Sequence, residues 1–159
     1  MAAPIVRRAQ PDDLEALLRI QREAAIAAFS HIFPPEHHPF PDVAIRNGWA
    51  AAIEDAGIEV YLAELDADPV ASVSVGHGLL RTLFVLPAHW GGGLGSDLHD
   101  LALERLEAAG VVEAKLWTLA ESKARRFYER RGWTENGETR VVPFPPHPLD
   151  VAYTRSLAK

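Results

Sequence analysis

The chain contains no cysteine. This absence excludes disulfide bonds, thiolate nucleophiles and zinc sites with cysteine ligands. Basic residues are also outnumbered, since 16 Lys and Arg stand against 22 Asp and Glu and leave a formal net charge of −6. A nucleic-acid-binding protein normally carries a basic surface, so we expect no nucleic-acid partner.

Long apolar runs are missing as well. None reaches the roughly 18 to 20 residues that a membrane helix needs. The beginning of the chain, MAAPIVRRAQPDDL, lacks the apolar centre of a signal peptide. The 159 residues are 48 % hydrophobic and 24 % charged, which is typical of a globular protein. We therefore expect one cytoplasmic domain over residues 1–159, with no membrane association.

The order of apolar stretches and turn signals predicts a mixed α/β sheet. Strands are expected at 4–8, 59–65, 70–75, 79–86 and 112–119, with two more after residue 132, and helices at 10–29, 42–55, 94–109 and 121–131. Four prolines make residues 30–41 a loop. The short connections between residues 59 and 86 permit only antiparallel neighbours. The helix before 112–119 allows that strand to pair in parallel through a right-handed crossover.

Residues 87–98, PAHWGGGLGSDL, place four glycines within five positions at the start of a helix. Successive backbone N–H groups at the positive end of a helix form a site suited to phosphate. A Walker loop would need a lysine, which is missing here, and Ser96 stands where a Rossmann fingerprint has its third glycine. The alternatives are a nicotinamide-binding domain and a tight connection that binds nothing.

Two segments together resemble the GCN5-related N-acetyltransferase (GNAT) superfamily. Residues 80–110 look like its acyl-CoA segment, with Gly93 and Gly95 on the two motif glycines and Trp90 where the family usually has Arg or Gln. ESKARRFYERRGW (121–133) is similar to the family's Asn-x-x-Ala-x-x-Phe-Tyr-x-x-x-Gly-Phe, with Glu121 replacing Asn. The resemblance covers residues 79–159, whereas the first 58 residues match in architecture only.

The resemblance implies a GNAT fold, with about seven mostly antiparallel strands, about four helices and a parallel pair, the fourth and fifth strands, that splays apart. It also implies transfer of an acetyl group from acetyl-CoA to a primary amine of a small molecule or peptide by direct attack, without a metal. Tyr128 takes the position of the family's general acid, and its alternative is a buried aromatic beside Phe127. The implied cofactor-binding residues are Leu83, Phe84, Val85, Gly91, Gly92, Gly93, Leu94, Gly95, Ser96 and Glu121.

The acceptor side is less defined by the sequence. We expect Phe33, His31, Trp49 and His77 in the acceptor pocket. The candidates for a general base are Glu121 and the four histidines His31, His37, His38 and His77. A water relay or an amine that arrives already neutral would serve without any of them. HIFPPEHH could suggest a metal site, but adjacent histidines in a proline-rich loop seldom converge on one ion. An acidic protein is compatible with polyamines, aminoglycosides, amino acids or a peptide N-terminus as acceptor.

One further alternative concerns catalysis itself. Trp90, Glu121 and the lack of an acidic residue in 79–86 would suit a GNAT-fold protein that binds acyl-CoA as a sensor or scaffold without turnover. Members of the family are often dimers, so a homodimer is a further expectation from the resemblance.

Overall fold

The computed structural model describes residues 3–158, which form a seven-stranded sheet in the order β1-β2-β3-β4-β5-β7-β6. The strands are β1 (Ile5–Arg8), β2 (Ile58–Leu65), β3 (Asp68–Gly76), β4 (Leu79–Val85), β5 (Glu113–Leu119), β6 (Thr134–Val141) and β7 (Leu149–Ser156). The helices are α1 (Leu14–Phe29), α2 (Asp42–Glu54), α3 (Leu94–Ala108) and α4 (Ala124–Glu129). β4 and β5 are parallel and the other neighbours antiparallel, which confirms the predicted fold class.

Two helices begin later than the sequence pattern predicts. A 3₁₀ turn, Pro11–Asp13, precedes α1. α4 spans 124–129 rather than 121–131, because the Ser122 hydroxyl accepts a hydrogen bond from the Ala124 N–H at 3.0 Å and fixes a turn ahead of the helix. Gly132, with φ +89°, follows the helix in the left-handed conformation that glycine adopts without steric cost. Residues 30–41 form turns, as their prolines predict.

The core lies on both faces of β3 and β4. α1 and α3 each pack on these two strands. α1 contributes Leu17 and Ile20, and α3 contributes Leu98 and Leu106, all of them buried. Since both faces of the central strands are covered, β3 consists almost entirely of buried residues.

β4 and β5 separate almost as soon as they meet. Their ladder consists of one registered pair, Leu79 with Lys115, and the Lys115 N–H donates to the Gly78 carbonyl at 3.1 Å. The other edge of β5 is paired with β7 over its whole length, from Glu113 with Ser156 to Leu119 with Asp150. The sheet is therefore open between the carboxyl-terminal halves of β4 and β5. No helix within residues 3–158 is long and apolar enough to cross a membrane.

Truncating α3 where it meets the sheet should destabilise the protein. Leu98 is fully buried, so Leu98→Ala removes packed methyl groups and leaves a cavity, at an expected cost of about 2–5 kcal/mol. Val43→Ala, at a 73 % exposed position of α2, should cost less than about 0.5 kcal/mol. Urea denaturation of both variants measures the difference. Equal midpoints would mean that α3 does not hold the sheet as described.

Candidate active site

A cavity of about 800 Å³ occupies the opening between β4 and β5. Its walls are residues 80–84 of β4, residues 116–119 of β5, the end of α1, the loop 33–41, α4 and the segment 142–145. Aromatic side chains supply much of the surface, among them Phe29, Phe33, Phe40, Trp117 and Phe144. A cavity that is mostly apolar with a few polar groups is the usual form of a small-molecule site.

The main chain of β4 presents two residues to this opening. The Leu86 N–H donates to the Val70 carbonyl at 2.9 Å, so this pair belongs to the hydrogen-bonded set of the β3–β4 ladder. Because hydrogen-bonded and non-bonded pairs alternate in an antiparallel ladder, Phe84 bonds to Ser72, whereas the amides of Leu83 and Val85 point away from β3. Of the three predicted contacts, only Leu83 and Val85 offer main-chain groups to a ligand, and Phe84 offers its ring.

The glycine-rich loop leads from β4 into α3. Gly93 is the N-cap of α3 and has φ +87°, and Gly91 has φ +82°, both in the left-handed region that favours glycine. A Cβ atom on either residue would meet no atom within 4 Å. A Cβ on Gly95 would lie 3.7 Å from Phe127 and 3.9 Å from Val85. Gly91 and Gly93 thus serve the backbone turn, while Gly95 lets α3 pack closely on β4 and α4.

This turn leaves backbone donors unsatisfied at the start of α3. The Asp97 N–H bonds to the Gly93 carbonyl at 3.0 Å and begins the helical ladder. The amides of Leu94, Gly95 and Ser96 precede it and have no acceptor within the helix. They form a site for a phosphate group at the positive end of a 15-residue helix.

Trp90 and Arg131 flank this loop. The Trp90 indole N–H donates to the Val85 carbonyl at 2.7 Å, so the residue that replaces the expected Arg or Gln holds the end of β4. The Arg131 guanidinium donates to the Ser96 hydroxyl and to the Phe127 carbonyl, the latter at 3.0 Å. It also lies 3.6 Å from the centre of the Phe127 ring. A cation is therefore fixed beside the loop from the α4 side.

Tyr128 lines the cavity with a ring that belongs to the core. The residue is 8 % exposed, and its ring meets those of Phe127 and Trp133 edge to face, at 5.2 and 6.1 Å between centroids. Within residues 3–158 no group hydrogen-bonds to its hydroxyl. Burial raises the pKa of Tyr128 to about 12, with a small opposing effect from Arg131. The phenol is thus a neutral hydrogen-bond donor, so the two interpretations of this residue, core aromatic and acid, are compatible.

Three of the four predicted acceptor residues lie outside the cavity, and only Phe33 lines it. The His31 Nε2 donates to the Glu121 carbonyl at 3.0 Å. Trp49 is the buried residue of α2, donates to Gln21 at 2.8 Å, and lines a neighbouring cavity of about 300 Å³. His77 lies in the β3–β4 turn, 3.1 Å from Asp55. The sequence pattern does not show on which side of the sheet each connection runs, so it could not place His31, Trp49 and His77 relative to this cavity.

The other polar residues considered from the sequence lie partly inside and partly outside the cavity. Glu121 is exposed and uses its main chain for the contact with His31, so its side chain is not part of the cavity. Of the histidines considered as bases, His37 and His38 line the cavity. Sequence reasoning missed Arg81 and Asp150, which line it as well. Neither belongs to a motif, so only the register of β4 and β7 brings them there. Within residues 3–158 no group of three or more His, Asp or Glu could hold a metal ion.

Comparison of the sequence with known proteins identifies the protein family. A family model for the acetyltransferase (GNAT) domain matches residues 56–135. An uncharacterised N-acetyltransferase of Archaeoglobus fulgidus is 29 % identical over 135 residues, covering 77 % of this chain and 88 % of that protein. The chain therefore belongs to the GNAT acetyltransferase family.

Solved structures share the fold over nearly the full length. A GCN5-related N-acetyltransferase from Rhodopseudomonas palustris superimposes with a TM-score of 0.77 at 20 % identity, covering 99 % of this chain and 98 % of that one. The PaiA N-acetyltransferase from Thermoplasma acidophilum, solved in complex with coenzyme A, gives a TM-score of 0.75 at 15 % identity, with coverages of 98 % and 99 %.

Gly93→Val should abolish binding of coenzyme A by a folded protein. A valine cannot hold φ +87° without strain, and its branches would cover the amides that face the phosphates. Gly110→Val is the matched control, since Gly110 has φ +85° and equally open surroundings at the other end of α3. Calorimetric titration with coenzyme A should show no binding to the first variant and unchanged affinity for the second. Unchanged affinity in a folded Gly93→Val would mean that these glycines only make a turn.

Proposed function

We propose that this chain, as one acetyltransferase domain, transfers the acetyl group of acetyl-CoA to a primary amine of a small molecule or peptide by direct attack. The observation that carries the proposal is a continuous path from the amides of Leu94–Ser96, along the free main chain of β4, to the cavity at Tyr128. The coenzyme A complex of the PaiA relative supports the choice of cofactor.

Three parts of acetyl-CoA, the pyrophosphate, the pantetheine arm and the thioester, find matching groups along this path. The pyrophosphate suits the amides at the start of α3 and the nearby Arg131. The pantetheine arm, which carries amide groups, can pair with β4 as an additional strand. Trp90 already occupies the Val85 carbonyl, so the groups available for this pairing are the Leu83 N–H and C=O and the Val85 N–H. An N–H of this stretch polarises the thioester carbonyl.

The reaction then needs one bond to form and one to break. The neutral amine attacks the thioester carbon, the new C–N bond forms, and the C–S bond breaks as the tetrahedral intermediate collapses. Tyr128 donates its phenolic proton to the departing thiolate of coenzyme A. The nitrogen loses one proton to solvent, and the Tyr128 phenolate regains one from there, so the products are an amide and free coenzyme A thiol.

A non-catalytic acyl-CoA sensor is the alternative, and it shares the binding path but not the chemistry. Calorimetry with acetyl-CoA and a thiol-release assay over a panel of primary amines separate the two. Amine-dependent thiol release supports transfer. Tight acetyl-CoA binding without release for polyamine, amino acid, arylalkylamine and peptide acceptors would support the sensor and overturn the proposal.

Tyr128→Phe should impair catalysis while sparing the fold. Without the hydroxyl the thiolate leaves unprotonated, so kcat and kcat/KM should fall together by roughly 10- to 1,000-fold, with acetyl-CoA affinity nearly unchanged. Stability should change by less than about 1 kcal/mol, because the hydroxyl has no hydrogen-bond partner within residues 3–158 to lose.

Tyr153→Phe is the matched control for this substitution. Its hydroxyl is buried outside the cavity, donates to Glu129 at 2.8 Å and accepts from Arg125 at 2.8 Å. Its loss should cost about 1.5–3 kcal/mol of stability and leave kcat unchanged. Steady-state kinetics and urea denaturation of both variants give the comparison. Full activity in a stable Tyr128→Phe protein would exclude the acid role.

The pH dependence should show no loss of the acid in the accessible alkaline range. Since burial raises the pKa of Tyr128 to about 12, the phenol keeps its proton well above the ordinary tyrosine value of about 10. kcat/KM should rise as the acceptor amine deprotonates and then stay level to about pH 11. Circular dichroism at each pH controls for unfolding. A decline centred between about pH 8.5 and 10 in folded protein would contradict Tyr128 as the acid.

A further inference from the structure

The cavity carries an arginine and an aspartate of opposite charge in a lining that is mostly apolar and aromatic and also includes His37 and His38. Arg81 and Asp150 are both among its lining residues, and they lie on β4 and β7, on either side of β5. Neither has a part in the transfer chemistry described above. Their partners within the protein show what each could still bind.

Asp150 has one oxygen committed and one free. Its Oδ2 accepts from the Arg140 Nε at 3.0 Å, and within residues 3–158 no donor bonds to Oδ1. The residue is 8 % exposed. Among the residues described, it is the one carboxylate that lines the cavity. Polyamines and aminoglycosides carry several ammonium groups, which need several carboxylates. The cavity offers one carboxylate and an arginine that repels cations, so it disfavours both classes of acceptor.

Arg81 is the complementary group. The register of β3 and β4 pairs Val75 with Leu80 and Ser74 with Thr82, so Arg81 is the extra residue of a bulge. Its side chain is exposed, and it lines both the main cavity and the neighbouring one under α2.

Arg81 also has unused hydrogen-bond donors. Seven other arginines form ion pairs, but no carboxylate of the described residues pairs with Arg81. The acid that feels its charge, Asp55, already bonds to His77 at 3.1 Å and to the Gly57 N–H at 2.7 Å. An unpaired guanidinium at the wall of a small-molecule cavity is suited to a planar carboxylate.

The two charges are spaced for one small molecule. Leu79 is level with Lys115, and Leu119 is level with Asp150, so Arg81 and Asp150 are two strands and two residues apart. Fully paired strands would put their Cα atoms about 12 Å apart. Because β4 and β5 separate after one pair, this spacing is a lower bound, and an arginine side chain, an aspartate side chain and a compact zwitterion together span more than about 12 Å.

We propose that the acceptor is an α-amino acid with an apolar or aromatic side chain. Arg81 binds its carboxylate, Asp150 Oδ1 attracts its amino group, and the aromatic lining takes its side chain. This inference rests on the proposed function and names the substrate class of the same site.

The test compares amino acids with the same molecules lacking the carboxylate. Thiol release from acetyl-CoA is measured with L-phenylalanine and L-leucine, with 2-phenylethylamine and 3-methylbutylamine, and with spermidine. We expect kcat/KM for each amino acid to exceed that of its matched amine by about 10- to 100-fold, the range of a charge-assisted arginine pair. Arg81→Met should reduce that ratio to within about threefold. Arg46→Met, which removes an arginine of α2 outside the cavity, should preserve it.

Each other outcome overturns a defined part of the account. Transfer that favours the matched amines or spermidine, or a ratio unchanged by Arg81→Met, overturns the amino-acid inference and leaves the proposed function standing. Calorimetric binding of acetyl-CoA without thiol release for any of these acceptors or a lysine-containing peptide overturns the proposed function and this inference with it.

Discussion

The site depends on the separation of β4 and β5 after a single registered pair. A strand inside a sheet normally satisfies its main chain on both edges, and buried amides without partners are costly. Leu83 and Val85 have no strand partner on the side that faces β5. The Trp90 indole N–H bonds to one of the main-chain groups left there, the Val85 carbonyl. The opening therefore creates the cavity and at the same time leaves main-chain groups that an amide-bearing ligand can satisfy.

An aromatic cluster between α3 and α4 fixes the position of the glycine-rich loop relative to Tyr128. Trp133 donates to the His99 Nε2 at 2.9 Å, and burial lowers the pKa of His99, so the imidazole is neutral and carries its proton on Nδ1. The rings of Phe127 and Tyr128 pack against this pair, and Phe127 lies where a side chain at Gly95 would have to fit. The phosphate end and the acid end of the site are thus connected through packed aromatic rings and a neutral hydrogen bond between Trp133 and His99.

The sequence predicts the parts of this molecule that depend on local order. Strand alternation, helical spacing and glycine placement give the seven strands, the four helices, the parallel pair and the loop at 91–96, because each is set by neighbouring residues. The acceptor side depends on distant residues instead. His77 and Trp49 look available in the sequence but are held by Asp55 and Gln21, whereas Arg81 and Asp150 reach the cavity only through strand register and a bulge. Strand register depends on residues far apart in the sequence, so no local sequence pattern predicts it.

Amide hydrogen exchange across β4, followed by NMR with and without acetyl-CoA, tests the proposed cofactor path most directly. Phe84 bonds to β3, so its amide should be protected in the free protein and change little. The amides of Leu83 and Val85 face the opening, so their exchange should slow by at least about tenfold when acetyl-CoA binds. Saturation with acetyl-CoA that leaves Leu83 and Val85 exchanging at their free rates would contradict pairing of the cofactor with β4.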